Sequence, residues 1–123
     1  MSRLETDANL WLATTRPDGR PHLAPVWFVA VDGDLWVGTG ADSVKVRNLD
    51  ADARATVALE DGDAPVVAEV TAELVARPFP PPVVGAFAAK YGWDLRVEVD
   101  DDLGPVVLLR LRPVRWVMGG PDA

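Results

Sequence analysis

The sequence predicts a mainly β protein, a small closed or split barrel of six antiparallel strands interrupted by two short helices. Three observations carry that prediction. Apolar and β-branched runs recur along the chain, punctuated by Asp-Gly and proline-rich turns. Only two stretches, Ser43–Ala53 and Val83–Tyr91, carry helix signals. The regular strand–helix–strand alternation of a parallel sheet is missing, so hairpins rather than crossovers should join the strands.

The first strand is Asn9–Thr15, NLWLATT, and Arg16-Pro17-Asp18-Gly19-Arg20 is the turn after it. Proline presets φ there, and Asp-Gly tolerates positive φ. Pro21–Val31, PHLAPVWFVAV, is the second strand, which Asp32-Gly33-Asp34 turns into the third, Leu35–Gly38. The three make a meander. The second strand does not alternate cleanly. His22, Ala24, Val26 and Phe28 share one face, Leu23, Pro25, Trp27 and Val29 the other, and both are largely apolar. Such a strand needs cover on both sides: the barrel interior on one, a ligand or a second subunit on the other. Pro25 lacks a ladder donor, which points to an edge or a bulge whose free backbone groups could meet a heterocycle's polar edge.

Helix Ser43–Ala53 follows, with Val44, Val46 (or Arg47) and Leu49 spaced to place one side inward. Arg54–Glu60 is the fourth strand, Asp61-Gly62-Asp63 a turn, and Pro65–Val75 the fifth strand. Val70, Ala72 and Leu74 alternate there with Glu69, Thr71 and Glu73, which leaves one face wet. A proline-rich joint, Arg77–Pro82, leads to helix Val83–Tyr91, which Gly92 ends. The acidic Glu98–Asp102 is an exposed connection, and Val106–Val117 is the last strand.

At 123 residues the chain makes one domain, residues 1–123, long enough to bury a core without staples. It has no cysteine, which excludes disulfides and thiolate chemistry. No apolar run approaches the roughly 20 residues that span a bilayer, and MSRLETDANL lacks the apolar core of a signal peptide. A cytoplasmic protein without membrane contact is expected. The net charge of −7 repels polyanions, which argues against nucleic-acid binding. No Ser-His-Asp or Cys-His pattern occurs, and the single histidine, His22, cannot build a typical zinc site. It reads as packing or hydrogen-bonded core, and the two Asp-Gly-Asp triplets read as hairpin turns. Of five tryptophans most should be core, with Trp27 and Trp116 placed where a planar ligand could stack.

The clearest functional signal is Leu35–Leu49, LWVGTGADSVKVRNL. A short strand runs into Gly38-Thr39-Gly40, where a backbone without Cβ atoms can approach a ligand closely. Asp42-Ser43 opens a helix holding Lys45 and Arg47. Free N–H groups at a helix start with two cations behind them form a seat for a phosphate, and so for a nucleotide-like or flavin-like ligand. The alternative is that both cations pair with Asp42, Asp50 or Asp52 on a solvated face. With no catalytic dyad, the chemistry is expected to belong to a cofactor.

The run LATTRPDGRPHLAPVWF, then LWVGTG, then DSVKVRNLDADARATVALE, resembles the pyridoxamine 5'-phosphate oxidase-like split-barrel superfamily, most of all its flavin/deazaflavin oxidoreductase branch. The likeness covers about Asn9 to Leu74 well and the rest loosely. It implies a homodimer of FMN-binding-type split barrels with cofactor sites at the subunit interface. The cofactor would be F420 by preference, or FMN, with its ring against Pro25, Val26, Trp27 and Phe28. The phosphate would sit with Thr39, Gly40, Ser43, Lys45, Arg47 and Asn48. Trp116 and the Lys90-Tyr91 pair are candidates to close the site from the second subunit. The implied activity is hydride transfer to a small unsaturated or conjugated substrate. A non-catalytic module for FMN, haem or another planar ligand, or a structural dimer with an empty cleft, are the alternatives. Val44 stands where many relatives carry a basic residue.

Overall fold

A computed structural model describes residues 2–123. In chain order the elements are α1 (Arg3–Thr6), β1 (Leu10–Thr15), β2 (Pro21–Val26), β3 (Phe28–Val31), β4 (Asp34–Gly40) and α2 (Val44–Ala51). After them come β5 (Arg54–Leu59), β6 (Val67–Val75), α3 (Pro81–Tyr91), β7 (Val99–Asp100) and β8 (Gly104–Met118). The strands are bonded in the order β2-β1-β5-β6-β8-β4-β3, with β7 added on β8. The two ends of that path are consecutive in sequence, separated only by Trp27. The second predicted strand is therefore one bent member whose first half pairs with β1 and whose second half pairs with β4. Counted so, the path holds the six predicted strands in a split barrel. No helix among the described residues is long and apolar enough to cross a membrane.

Alternation builds the interior. Leu10 and Leu12 of β1, Val37 of β4, Val57 of β5, Val70 of β6 and Leu111 of β8 all point into one buried cluster, closed by Val26 and Phe28 from the bent strand. Fully burying a side chain of this size stabilises by about 1.5–3 kcal/mol. A second cluster lies outside the sheet. Val29, Trp36 and Leu108 pack there against Val83 and Phe87 of α3. The outer cover of β3 is thus helix α3, whereas the outer side of β2 stays open, with Leu23 60% exposed.

Several expectations are corrected. The third strand does not end at Gly38: β4 continues through Thr39 and Gly40, paired with Val106–Leu108 of β8. Helix α3 starts at Pro81 rather than Val83, because prolines suit the first turn, where an N–H has no helical partner. It ends as expected at Gly92, in the left-handed region at φ 66°. The acidic connection contains the short strand β7. Of the tryptophans only Trp36 is buried; Trp11 and Trp27 are exposed and the other two half-buried. The hairpin at Asp32-Gly33, with φ 55° and 81°, is the tight turn read from its Asp-Gly pair. Pro113 in β8 is accommodated next to a register shift, and Val114, which that shift skips, is 72% exposed.

Candidate functional site

A cleft of about 490 Å³ opens where the bent strand breaks, within the range of small-molecule sites. Pro25, Val26 and Trp27 form one side, Gly38 and Thr39 of β4 the back, and Lys45 of α2 the end. Tyr91, Gly92 and Trp93 also line it, as do Asp100, Asp102 and Leu103 around the β7–β8 hairpin. Five of the residues singled out from sequence, Pro25, Val26, Trp27, Thr39 and Lys45, thus line one cleft.

The other candidates lie elsewhere. Phe28 is fully buried in the barrel interior. Asn48 is buried and donates from Nδ2 to Thr14 Oγ1 at 3.0 Å. Arg47 is exposed and lines a separate hollow with Val46, Asp50 and Leu74. Trp116 borders another, beside Leu4, Asp34 and Pro121. Ser43 caps α2 without a side-chain cap bond, and its Oγ is buried and unpartnered. Tyr91, offered as a residue of a second subunit, lines the cleft of its own chain.

The glycines of β4 answer to the chain's own packing. A Cβ at Gly38 would stand 2.7 Å from the Trp93 indole, and one at Gly40 only 2.6 Å from the Leu103 carbonyl oxygen. What approaches these backbones closely is therefore the cleft wall itself. Trp27 stacks on Tyr91 at 4.4 Å with an interplanar angle of 8°, and Trp93 meets Trp27 edge-on at 6.0 Å.

Electrostatically the cleft is asymmetric. Lys45 is half-buried, near the amino end of α2, and makes no ion pair or hydrogen bond among the described residues. Burial alone holds its pKa below the ordinary lysine value. Asp100 is occupied with shaping its hairpin, since its Oδ1 accepts the N–H groups of Asp102 at 2.8 Å and Leu103 at 3.0 Å. Two further buried atoms, His22 Nδ1 and Arg16 Nε, also lack partners. His22 is the cross-strand partner of Thr14, which Asn48 of α2 bonds, so its ring lies on the strand face that meets that helix. The reading of His22 as packing or hydrogen-bonded core leaves that unpartnered ring nitrogen out. Its inward register beside a buried threonine was the available signal. Among the described residues no three His, Cys, Asp or Glu side chains converge on a metal-sized site.

A barrel split at a bent strand, with an aromatic-lined cleft that includes an unpaired amine, defines a class by its architecture: small split β-barrels with a cleft of ligand size. The chain belongs to the family described as pyridoxamine 5'-phosphate oxidase, which it matches over residues 3–118. No curated protein matches its sequence. Among solved structures, the conserved hypothetical protein Rv2991 from Mycobacterium tuberculosis is 30% identical, with TM-score 0.70, over 98% of this chain and 89% of that one. A protein described as an F420 reductase, of unstated organism, is 26% identical, with TM-score 0.67, over 92% and 91%. HutZ, the heme storage protein from Vibrio cholerae, shares the fold at 20% identity, with TM-score 0.75, over 95% and 92%.

Proposed function

We propose that this chain is a homodimeric oxidoreductase that binds F420 by preference, or FMN, and reduces a small unsaturated or conjugated substrate. The observation that carries the reading is Lys45, a half-buried amine in an aromatic cleft with no carboxylate paired to it. Burying an unpaired cation is costly, and an anionic group on a ligand removes that cost. The 26% identical protein described as an F420 reductase supports deazaflavin over FMN.

When bound, the deazaflavin or flavin supplies the hydride. The chain's own residues do the rest: Lys45 and Thr39 hold the anionic end, and Pro25, Val26 and Trp27 provide a floor for a planar ring. Trp93 and the β7–β8 hairpin screen that floor from water. A second copy is expected on the outer face of β1, β2 and β5. Trp11, Ala13, Leu23, Pro25, Thr56 and Ala58 lie there in register without a charge. The outer face of β6 and β8, by contrast, carries Glu69, Glu73, Arg110, Arg112 and Arg115 in ion pairs.

The test is a side-by-side fluorescence titration of F420 and FMN against the wild-type protein and Lys45→Ala. Binding by the wild type that the variant weakens supports the reading. Failure of both cofactors to bind, or equal binding by the variant, rejects it. Turnover of the reduced cofactor with enones and quinones separates an enzyme from a storage module such as the heme-storing neighbour.

A further inference from the structure

The break at Trp27 interrupts a strand, and its consequence falls on Phe28. That residue pairs with Val37 of β4 on one side, but on the other its N–H and C=O have lost the β1 ladder. Buried backbone groups in that position need partners. The last turn of α3 provides them. The Phe28 N–H donates to Tyr91 Oη at 3.0 Å, and Lys90 Nζ donates to the Phe28 carbonyl at 2.9 Å. The Tyr91 hydroxyl proton lies between the carbonyls of Ala8, at 2.7 Å, and Phe28, at 2.9 Å. Lys90 Nζ also reaches Leu4 O at 3.4 Å and stands 3.9 Å over the Phe28 ring. Two adjacent side chains of one helix therefore replace a strand, and the ring of one of them carries Trp27.

We propose that Lys90 and Tyr91 are positioning residues that clamp Phe28, fix the bend and set Trp27 against the cleft, and that the clamp loosens when Lys90 loses its proton. This rests on the cleft being the ligand site. The charges around Lys90 are few. Asp7 acts on it and itself pairs with Arg3, Glu5 of α1 is exposed, β3 carries no charge, and the neighbouring Tyr91 phenol is raised by burial. Burial brings Lys90 down to about 8 from 10.5, with Asp7 opposing.

The sign of the linkage separates a clamp from a plain stabilising contact. With the folded pKa depressed, the unfolded chain binds the extra proton between about pH 8 and 10.5, so folding stability rises with pH across that window. The charge-assisted bond to Phe28 and the ammonium–ring contact weaken over the same window. Alkaline solution thus relieves the fold while it releases Trp27.

The experiment follows tryptophan fluorescence and near-UV circular dichroism of the ligand-free protein from pH 6 to 10. The wild type is expected to show a transition near pH 8 that is absent in Lys90→Met. It should also be absent in Lys90→Arg, whose guanidinium keeps its charge. A flat wild-type profile, or the same transition in Lys90→Met, overturns the proposal. In a second arm, Lys90→Met should bind F420 on the order of tenfold more weakly than the wild type at pH 7, and equally at pH 9.5. Equal affinity at pH 7 overturns it too. If F420 and FMN bind the wild type at no pH, the functional reading fails, and the ligand-free transition still decides the clamp.

Discussion

Replacing Gly38 by alanine probes how tightly the back of the cleft is closed. The new Cβ would stand 2.7 Å and 2.8 Å from two ring carbons of Trp93 and 3.2 Å from a methyl of Leu95. Ordinary carbon contacts lie at about 3.5–4.0 Å, so the indole must retreat by roughly 1 Å. It has little freedom to do so, because its edge already meets Phe87 at 5.7 Å and Trp27 at 6.0 Å. Overfilling of this kind costs about 1–3 kcal/mol. Unfolding entropy is about 2 cal/mol/K per residue, so for 123 residues a loss of about 2 kcal/mol lowers Tm by about 8 °C. Calorimetry of Gly38→Ala, Trp93→Phe and the double variant makes the test specific. The phenyl ring vacates the space that the Cβ needs, so alanine should cost less than about 0.5 kcal/mol in that background. Equal losses in both backgrounds, or none in either, would refute the claim that Trp93 is what dictates a glycine here.

Other perturbations separate the remaining assignments. Lys45→Ala should cost at least about tenfold in affinity for F420 or FMN, while Arg47→Ala, whose side chain faces another hollow, should cost less than about twofold by the same titration. Because burial depresses the Lys45 pKa and a bound anion restores it, affinity should fall as pH rises through the free protein's lysine titration; isothermal titration across alkaline pH reads that slope. Leu23→Glu places a carboxylate among Trp11, Ala13 and Pro25 on the outer face, and for the proposed homodimer sedimentation should show dissociation strengthened on the order of a hundredfold. Arg54 holds the Asp52 carboxylate down at about 2 against 3.8, so its contribution is present above pH 4 and fades as pH falls through 2. Carboxyl NMR should find that low midpoint and lose it in Arg54→Ala.

Much of the barrel was legible because its signals are local. Asp32-Gly33 specifies its own hairpin, alternation from Ala68 to Glu73 specifies a wet face although Leu74, expected inward, is exposed, and Gly92 ends its helix through backbone freedom alone. The bend at Trp27 was not legible. Pro25 in PHLAPVWFVAV flags an edge or a bulge, but not where the strand leaves its first neighbour for its second, since the bonds that hold that point come from Tyr91 and Lys90, more than sixty residues away in sequence. The same distance hid the reason for Gly38. A glycine beside a cationic helix reads as room for a ligand, and only the fold reveals that an indole from residue 93 takes that room. Lys45 lines the cleft and Arg47 lines another hollow, because spacing along an eight-residue helix leaves open which of two nearby side chains turns toward a cleft.

The long strand β8 lies between β6 and β4, bonded to both. Until residues 106–118 leave the ribosome, the pairs β6 with β5 and β4 with β3 can each form, but each ends in an unsatisfied row of amides and carbonyls. Until then the nascent chain carries two sticky borders, and β8 inserts between them like a zip drawn from both sides. Premature termination within that segment should yield insoluble product rather than a weakened domain.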